Sequence, residues 1–444
     1  MKKHFLPWNV DQQFLFPPSL RDFVSDDHLA HFVRDLVTCE LNLDAIYAAY
    51  NEARGAPPYH PAMMTALLLY AYCQGIYSSR RIEKACSERV DFMAVTGMNR
   101  PDHSRINAFR QRHREALQGL FVQILALCRE AGLAKLGHVA LDGTKLKANA
   151  SRHAAMSYTR MLEGERKLHT QVEDWLREAD AADQREEQKH GAARGDELPD
   201  WVRNKQRKLE KIREAKQRLE TQARELAKHK ADSREERAKQ TGRKQRGAKP
   251  LPPEDAKPAA REQSNFTDPE SRIMKTRDGF QQSYNAQAAV DAESQVIVAQ
   301  HVCAHGTDHA ELAPTLDAIE ANMGRLPREL SADSGYCSEE NLETLIERGV
   351  RGYIATGKYK HGQPAPQDAR TRNGPHSRAM RARLRRGGWA SRYRLRKQSV
   401  EPVFGQIKGP RGFRQFLTRG LSMVGLEWSL LCTAHNVLKL AAAR

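Results

Sequence analysis

Three acidic residues in separate segments could together do phosphodiester chemistry. Asp142 closes the apolar run Val139–Leu141 and precedes Gly143 and Thr144. Asp333 closes Leu330–Ala332 and precedes Ser334 and Gly335. Glu401 lies in an amphipathic stretch, Tyr393 to Lys408, that is crowded with cations. Lys397, Glu401 and Lys408 are spaced so that a helix would place all three on one stripe. Singly, each acid has an ordinary explanation: a turn before Gly143, an Asx turn at Ser334–Gly335, a surface ion pair around Glu401. Jointly, two strand-borne aspartates and a later helical glutamate suit a site for two divalent ions.

Cutting a phosphodiester without a covalent enzyme intermediate needs an activated water or 3′-hydroxyl and charge relief on the leaving oxygen. Two ions about 3.5–4 Å apart do both. Mg2+ takes one or two carboxylates plus substrate oxygens and water, so three acids suffice for a pair, with Mn2+ able to substitute. Asp142 is expected to bridge the ions, Asp333 to complete one and Glu401 the other. Lys145, Lys397 and Lys408 are expected to hold phosphates beside them. Asp291 also ends an apolar run, and the turn it begins explains it more simply. The glycines from Gly405 to Gly412 make no Walker pattern, and no serine sits in a nucleophile elbow.

These segments resemble the Asp-Asp-Glu core of bacterial insertion-sequence transposases. The stretch around Glu401 is similar to that superfamily's tyrosine, arginine, glutamate, lysine signature, with Tyr393, Arg396, Glu401 and Lys408 in order. It departs in spacing: four residues separate Arg396 from Glu401 where the common pattern has three, and Arg394 and Lys397 occupy the positions that fit the usual stripe. The likeness extends to roughly residues 10 to 135 and to Trp428–Leu440. It implies a ribonuclease H-like α/β core, a mixed sheet flanked by helices, with an N-terminal all-α domain and a long helical insertion. It also implies binding to double-stranded DNA (terminal inverted repeats and target), strand cleavage and strand transfer, and a homodimer in the synaptic complex. A bacterial cytoplasmic, nucleoid-associated protein is the matching location. The alternatives are a catalytically silent DNA-binding protein derived from a transposase, or a nuclease of the same fold.

Composition agrees with a polyanionic partner. Lys and Arg number 72 against 55 Asp and Glu, a formal net charge of +17, which favours nucleic acid. The longest apolar run, Ala62–Tyr72, is too short for a membrane span of about 20 residues. The 7 cysteines are dispersed and odd in number, and the 17 histidines form no ligand pattern. That distribution suggests a reducing compartment and argues against a zinc site.

Four regions follow along the chain. Residues 1–135 read as helical, with Pro61 opening one helix and serines near Ser78 available to cap the next. A turn at Arg100–Ser104 leads to a stripe of Ile106, Phe109, Leu117, Leu120 and Ile124. Arg80, Arg81, Arg105, Arg110 and Arg112 are expected on an exposed helix-turn-helix-like DNA face, and Arg394, Arg396 and Lys397 near the cleavage site. Residues 136–150 hold the first catalytic strand. Residues 151–264 read as a helical hairpin plus a basic linker from Lys239 to Pro258. Its two seams are Met161, Leu168, Val172, Trp175 and Ala179, and Val202, Leu209, Ile212, Leu219, Ala223 and Leu226; Lys205 and Lys216 weaken the second seam, and a breaker runs from Lys189 to Pro199. Residues 265–444 complete the catalytic domain: hairpin strands at Ser283–Asp291 and Gln295–Val302, a helix from about Asp308 to Met323, the Asp333 strand, a helix at Glu339–Arg348, a strand at Gly352–Thr356, and the Glu401 helix.

Overall fold

The chain approaches the Asp142 strand through a series of helices: α1 (Leu29–Asp35), α2 (Asp44–Tyr47), α3 (Pro61–Cys73), α4 (Ser79–Glu88), α5 (Val90–Thr96), α6 (His103–Arg112) and α7 (Arg114–Glu130). The computed structural model describes residues 24–50, 57–171, 173–174, 200–241, 251–276, 279–357 and 374–444. Asp102 caps α6, its Oδ1 accepting the N–H groups of Ser104 and Arg105, which satisfies two donors that a helix start leaves open. The stripe Ile106, Phe109, Leu117, Leu120 and Ile124 is buried as expected, although it spans two helices that break at His113.

Strand β1 (His138–Lys147) follows. Val139, Ala140 and Leu141 are fully buried, as befits a central strand covered on both faces. The insertion begins with β2 (Ala155–Ser157) and returns through β3 (Gln263–Asn265), the two pairing antiparallel at its base. Between them lie α8 (158–171) and α9 (Asp200–Thr241). Met161 of α8 packs with Ile212, Ala215 and Leu219 of α9 in a small core of their own. Glu165 bonds Arg213 and Lys216 across the pair, so Lys216 closes the seam it was expected to weaken. Further along α9, Leu226 is exposed and the seam has ended. The helix runs on through Lys239, because its Arg, Glu, Lys and Gln residues favour helix. Val172, Trp175, Ala179 and the expected breaker at Lys189–Pro199 lie outside the described residues, as do residues 242–250 of the expected linker.

The sheet is completed by β4 (Arg272–Thr276), β5 (Gly279–Asp291), β6 (Ile297–Cys303), α10 (Leu312–Met323), β7 (Glu329–Ala332), α11 (Glu339–Glu347) and β8 (Arg351–Ile354). Long β5 pairs antiparallel with β1 on one side; on its other side it pairs with β4 in its first half and β6 in its second. Parallel β7 and then β8 extend the sheet beyond β1. The result is a mixed sheet with helices against it. Strand β4 was not expected, since only Met274 of its residues is buried. As an edge strand it receives the insertion: Arg272 donates to Gln222 of α9.

Three helices close the chain: α12 (Pro375–Gly387), α13 (Leu395–Lys408) and α14 (Leu421–Ala442). Helix α14 is apolar around most of its circumference, the pattern of a helix buried on all sides. Trp428, Leu430, Leu431, Ala434 and Val437 are fully buried. It lies between α3 and α7 on one side and β6 on the other. Trp428 Nε1 donates to the carbonyl of Gln287, and Asn436 exchanges two hydrogen bonds with the backbone of Ile297. The N-terminal helices and the sheet thereby share one continuous core.

Candidate active site

Parallel pairing brings two of the acids to one level. Leu141 of β1 lies opposite Ala332 of β7, so Asp333, the first residue past β7, comes beside Asp142. Asp333 turns the chain sharply there, its Oδ1 accepting the N–H of Gly335 at 2.7 Å. The third acid arrives from above β1. Helix α13 buries Ser399, Val400, Val403, Phe404 and Ile407 against the sheet, which leaves Glu401 on the outer side.

Arg396 joins two of the acids. Its Nη2 donates to Asp142 Oδ2 at 3.2 Å and its Nη1 to Glu401 Oε1 at 2.9 Å. The Arg396 and Asp142 side chains are 14% and 16% exposed, whereas Glu401 is 46% exposed. Among Arg394, Arg396 and Lys397, it is therefore Arg396 that bonds both acids; Arg394 and Lys397 are exposed. The stripe argument assumed a helix continuing N-terminally, but α13 begins at Leu395. An arginine in that first turn can span five residues to Glu401. Tyr393 is close by: burial pushes its phenol up, Arg396 opposes this, and Asp333 and Asp142 reinforce it. Lys408 donates to Thr144 Oγ1, next to the Asp142 strand. Lys145 is half-buried, in register with Asn285.

The remaining expected residues divide by exposure. Arg80, Arg81, Arg105 and Arg112 are exposed, with Arg112 stacked over Tyr50 and donating to the carbonyl of Ala49. Arg110 is a correction: it is 5% exposed, donates to the carbonyl of Tyr77 at 2.8 Å and lies over the Tyr72 ring. Its guanidinium ties α6 to the end of α3 and cannot reach a phosphate. Asp291 is structural, accepting the N–H groups of Lys135, Leu136 and Glu293.

Sequence reasoning missed a fourth acid. Asp308 was placed at the start of a helix, but α10 begins at Leu312 and leaves Asp308 in the preceding loop. Its Oδ1 accepts N–H bonds from Asn285 at 2.7 Å and Gln287 at 2.8 Å. Nothing in the polar run around it distinguishes this aspartate from an ordinary loop residue. The histidines and cysteines also gather more than expected: Cys303, His305 and Glu311 place ligand atoms within 4.8 Å of one another. Glu311 is in addition bonded by His301 and His305. Burial opposes its ionisation, yet those two hydrogen bonds hold its carboxyl down at about 2.

Burial pushes the Asp142 carboxyl up to about 7; Arg396 pulls against this, and Asp333 and Asp308 add to it. Burial is the first cause, and the neighbouring carboxylates add to it despite Arg396. Their oxygens suit a hard divalent ion such as Mg2+ or Mn2+. Asp142, Asp333 and Glu401 offer such oxygens, and the Arg396 guanidinium already supplies positive charge between two of them. The donor set fits a divalent metal.

Two family models match the chain. Residues 18–112 match the Transposase domain (DUF772), and residues 232–437 match the Transposase DDE domain. The second match contains Asp333 and Glu401 and stops short of Asp142, which the insertion separates from it. No curated protein and no solved structure shows significant similarity to the chain.

The raised Asp142 pKa has a defined consequence for stability. Between about pH 4 and its folded pKa of about 7 the folded chain keeps a proton that the unfolded chain has released. The contribution is therefore complete at low pH and is lost as pH rises through about 7. Asp142→Asn removes this titration, so it should raise the melting temperature of the metal-free protein at pH 8, by at most about 4 kcal/mol of stability, with little effect near pH 4. Equal melting temperatures at pH 8 would show that Asp142 ionises without penalty.

Proposed function

The chain is an insertion-sequence transposase of the Asp-Asp-Glu class, and from that premise we propose that it binds the terminal inverted repeats of its element, cleaves the DNA ends and transfers a 3′-hydroxyl to target DNA. What supports this reading is the Arg396 bridge between Asp142 of β1 and Glu401 of α13, with Asp333 following the β7 residue paired with Leu141. The strand pattern, an antiparallel β6–β5–β1 set extended by parallel β7 and β8 with helices against it, supports a ribonuclease H-like core.

In this reading Asp142, Asp333 and Glu401 would hold Mg2+, which when bound would supply an activated oxygen nucleophile and charge relief on the leaving oxygen. Asp142 would bind as the carboxylate, the form favoured above its folded pKa of about 7. Arg396 holds Asp142 and Glu401 together, and its planar fork is of the kind that suits a DNA phosphate. Lys408, held at Thr144, and the exposed Lys397 flank the same path. Arg80, Arg81, Arg105 and Arg112 supply phosphate contacts for end binding. Cleaving and joining two ends together calls for a homodimer. No helix among the described residues is long and apolar enough to cross a membrane.

The direct assay uses purified protein, a labelled transposon end and Mg2+ or Mn2+, with the nick mapped. Wild type should cut at the end of the repeat, and alanine at Asp142, Asp333 or Glu401 should abolish cutting while end binding persists. Cutting by the Asp142 variant at the wild-type rate would remove that residue from the site. Cutting without regard to the repeat would indicate a nuclease, and binding without cutting a silent DNA-binding protein.

End binding has its own test. Each phosphate contact contributes about −0.9 to the slope of log affinity against log salt. Changing Arg81 and Arg105 together to alanine should therefore flatten the slope by nearly two. An unchanged slope would move the DNA-reading role to another surface.

A further inference from the structure

We propose that Cys303, His305 and Glu311 form a second metal site, for a borderline-soft divalent ion of the Zn2+ kind, sharing no residue with the Asp142 site. Strand β6 ends at Cys303, the chain turns through residues 304–310, and Glu311 is the N-cap residue of α10. The turn gathers a thiol, an imidazole and a carboxylate, with ligand atoms all within 4.8 Å of one another. Ligands on a tetrahedral Zn2+, with bonds of about 2.0–2.3 Å, lie about 3.3–3.8 Å apart, so small side-chain movements close the three on one ion. Mg2+ favours oxygen ligands alone, whereas thiolate and imidazole select Zn2+. No pair of cysteines announces the site in the sequence, because each ligand is of a different type.

Glu311 anchors the cluster. Its side chain is 5% exposed, and it accepts from His301 Nε2 at 2.7 Å on one oxygen and from His305 Nδ1 at 2.9 Å on the other. A carboxylate only accepts, so both nitrogens carry protons in the metal-free chain. The Cys303 thiol donates to the same carboxylate. Two protons, on Cys303 Sγ and His305 Nδ1, thus stand where one divalent ion would fit. On binding, the thiol proton leaves to solvent and the His305 ring, 67% exposed, keeps its proton on Nε2 instead. Thiolate, carboxylate and neutral imidazole then balance the two charges of the ion, as a largely buried site requires. Burial pushes the Cys303 thiol up to about 12, and a bound cation reverses this by stabilising the thiolate. His301 lies two residues before Cys303 on β6 and so shares its face. Its bond to Glu311 Oε2 leaves Oε1 on the His305 side, the kind of support that orients a metal-bound carboxylate. Three protein ligands leave a fourth position for water. The ion would fasten both ends of a loop whose middle is already tied to β5, where Asn285 and Gln287 donate to Asp308.

Co2+ added to the reduced full-length protein tests the site, because a thiolate on Co2+ gives a sulfur-to-metal charge-transfer absorption that an all-oxygen site cannot give. Wild type should develop that band, lose it when Zn2+ is added, and melt at a higher temperature with Zn2+ than without. Cys303→Ser should abolish the band, and Cys39→Ser, at the exposed cysteine, should leave it intact. His305→Ala should weaken Co2+ binding at least about tenfold, since even a residue that only supports a ligand costs that much. The absence of a band in wild type, its survival in Cys303→Ser or its loss in Cys39→Ser overturns the site. Should Cys303→Ser fail to fold, His305→Ala decides, because its ring is mostly exposed and its removal leaves the core untouched. Co2+ affinity equal to wild type in His305→Ala overturns the proposal.

Discussion

A guanidinium held between two carboxylates organises this molecule. Arg396 bonds Asp142 on the central strand and Glu401 on α13, and so fastens a helix from the end of the chain onto a strand from its first third. Without a cation there, burial and neighbouring acids would leave Asp142 carrying a poorly compensated charge. Arg396 Nε is itself buried without a partner, so the arginine is not at its best hydrogen-bonded arrangement. The cation that compensates two of the acids is thus itself incompletely satisfied.

The rest of the fold keeps that junction in register. Parallel pairing of β7 with β1 sets Asp333 level with Asp142, and a one-residue slip would send every β1 side chain to the opposite face. Helix α14 holds the sheet from behind through Trp428 and Asn436, while its other side is covered by α3 and α7. A helix this apolar is stable only when buried, which ties the N-terminal helices to the catalytic sheet. The insertion, by contrast, keeps its own small core around Met161 and Ile212 and meets the sheet at edge strand β4. It can vary without moving β1.

Much of this was readable from residue patterns, for physical reasons that differ by position. Asp142 and Asp333 stood out because each ends an apolar run, and a buried strand needs such a run whatever surrounds it. The hairpin of β5 and β6 and the α8–α9 pairing came from period-two and heptad-like spacing. Arg396 was not separable from Arg394 and Lys397, since the choice depends on where α13 starts, and no cap residue marks that start. Arg110 was misplaced because a helical stripe says which residues face one neighbour, not whether Tyr77 and Tyr72 cover the opposite side. Asp308 and β4 carry no periodic signal at all. One is a loop acid held by Asn285 and Gln287, the other an edge strand with a single buried side chain.

The most direct test of the site is a crystal structure of the full-length protein soaked with Mn2+, with the metal located by anomalous scattering. Two peaks about 3.5–4 Å apart, contacted by Asp142, Asp333 and Glu401 with Arg396 withdrawn from between them, are expected. Manganese absent from these acids, with Arg396 still bonded to both Asp142 and Glu401, would contradict a two-metal active site.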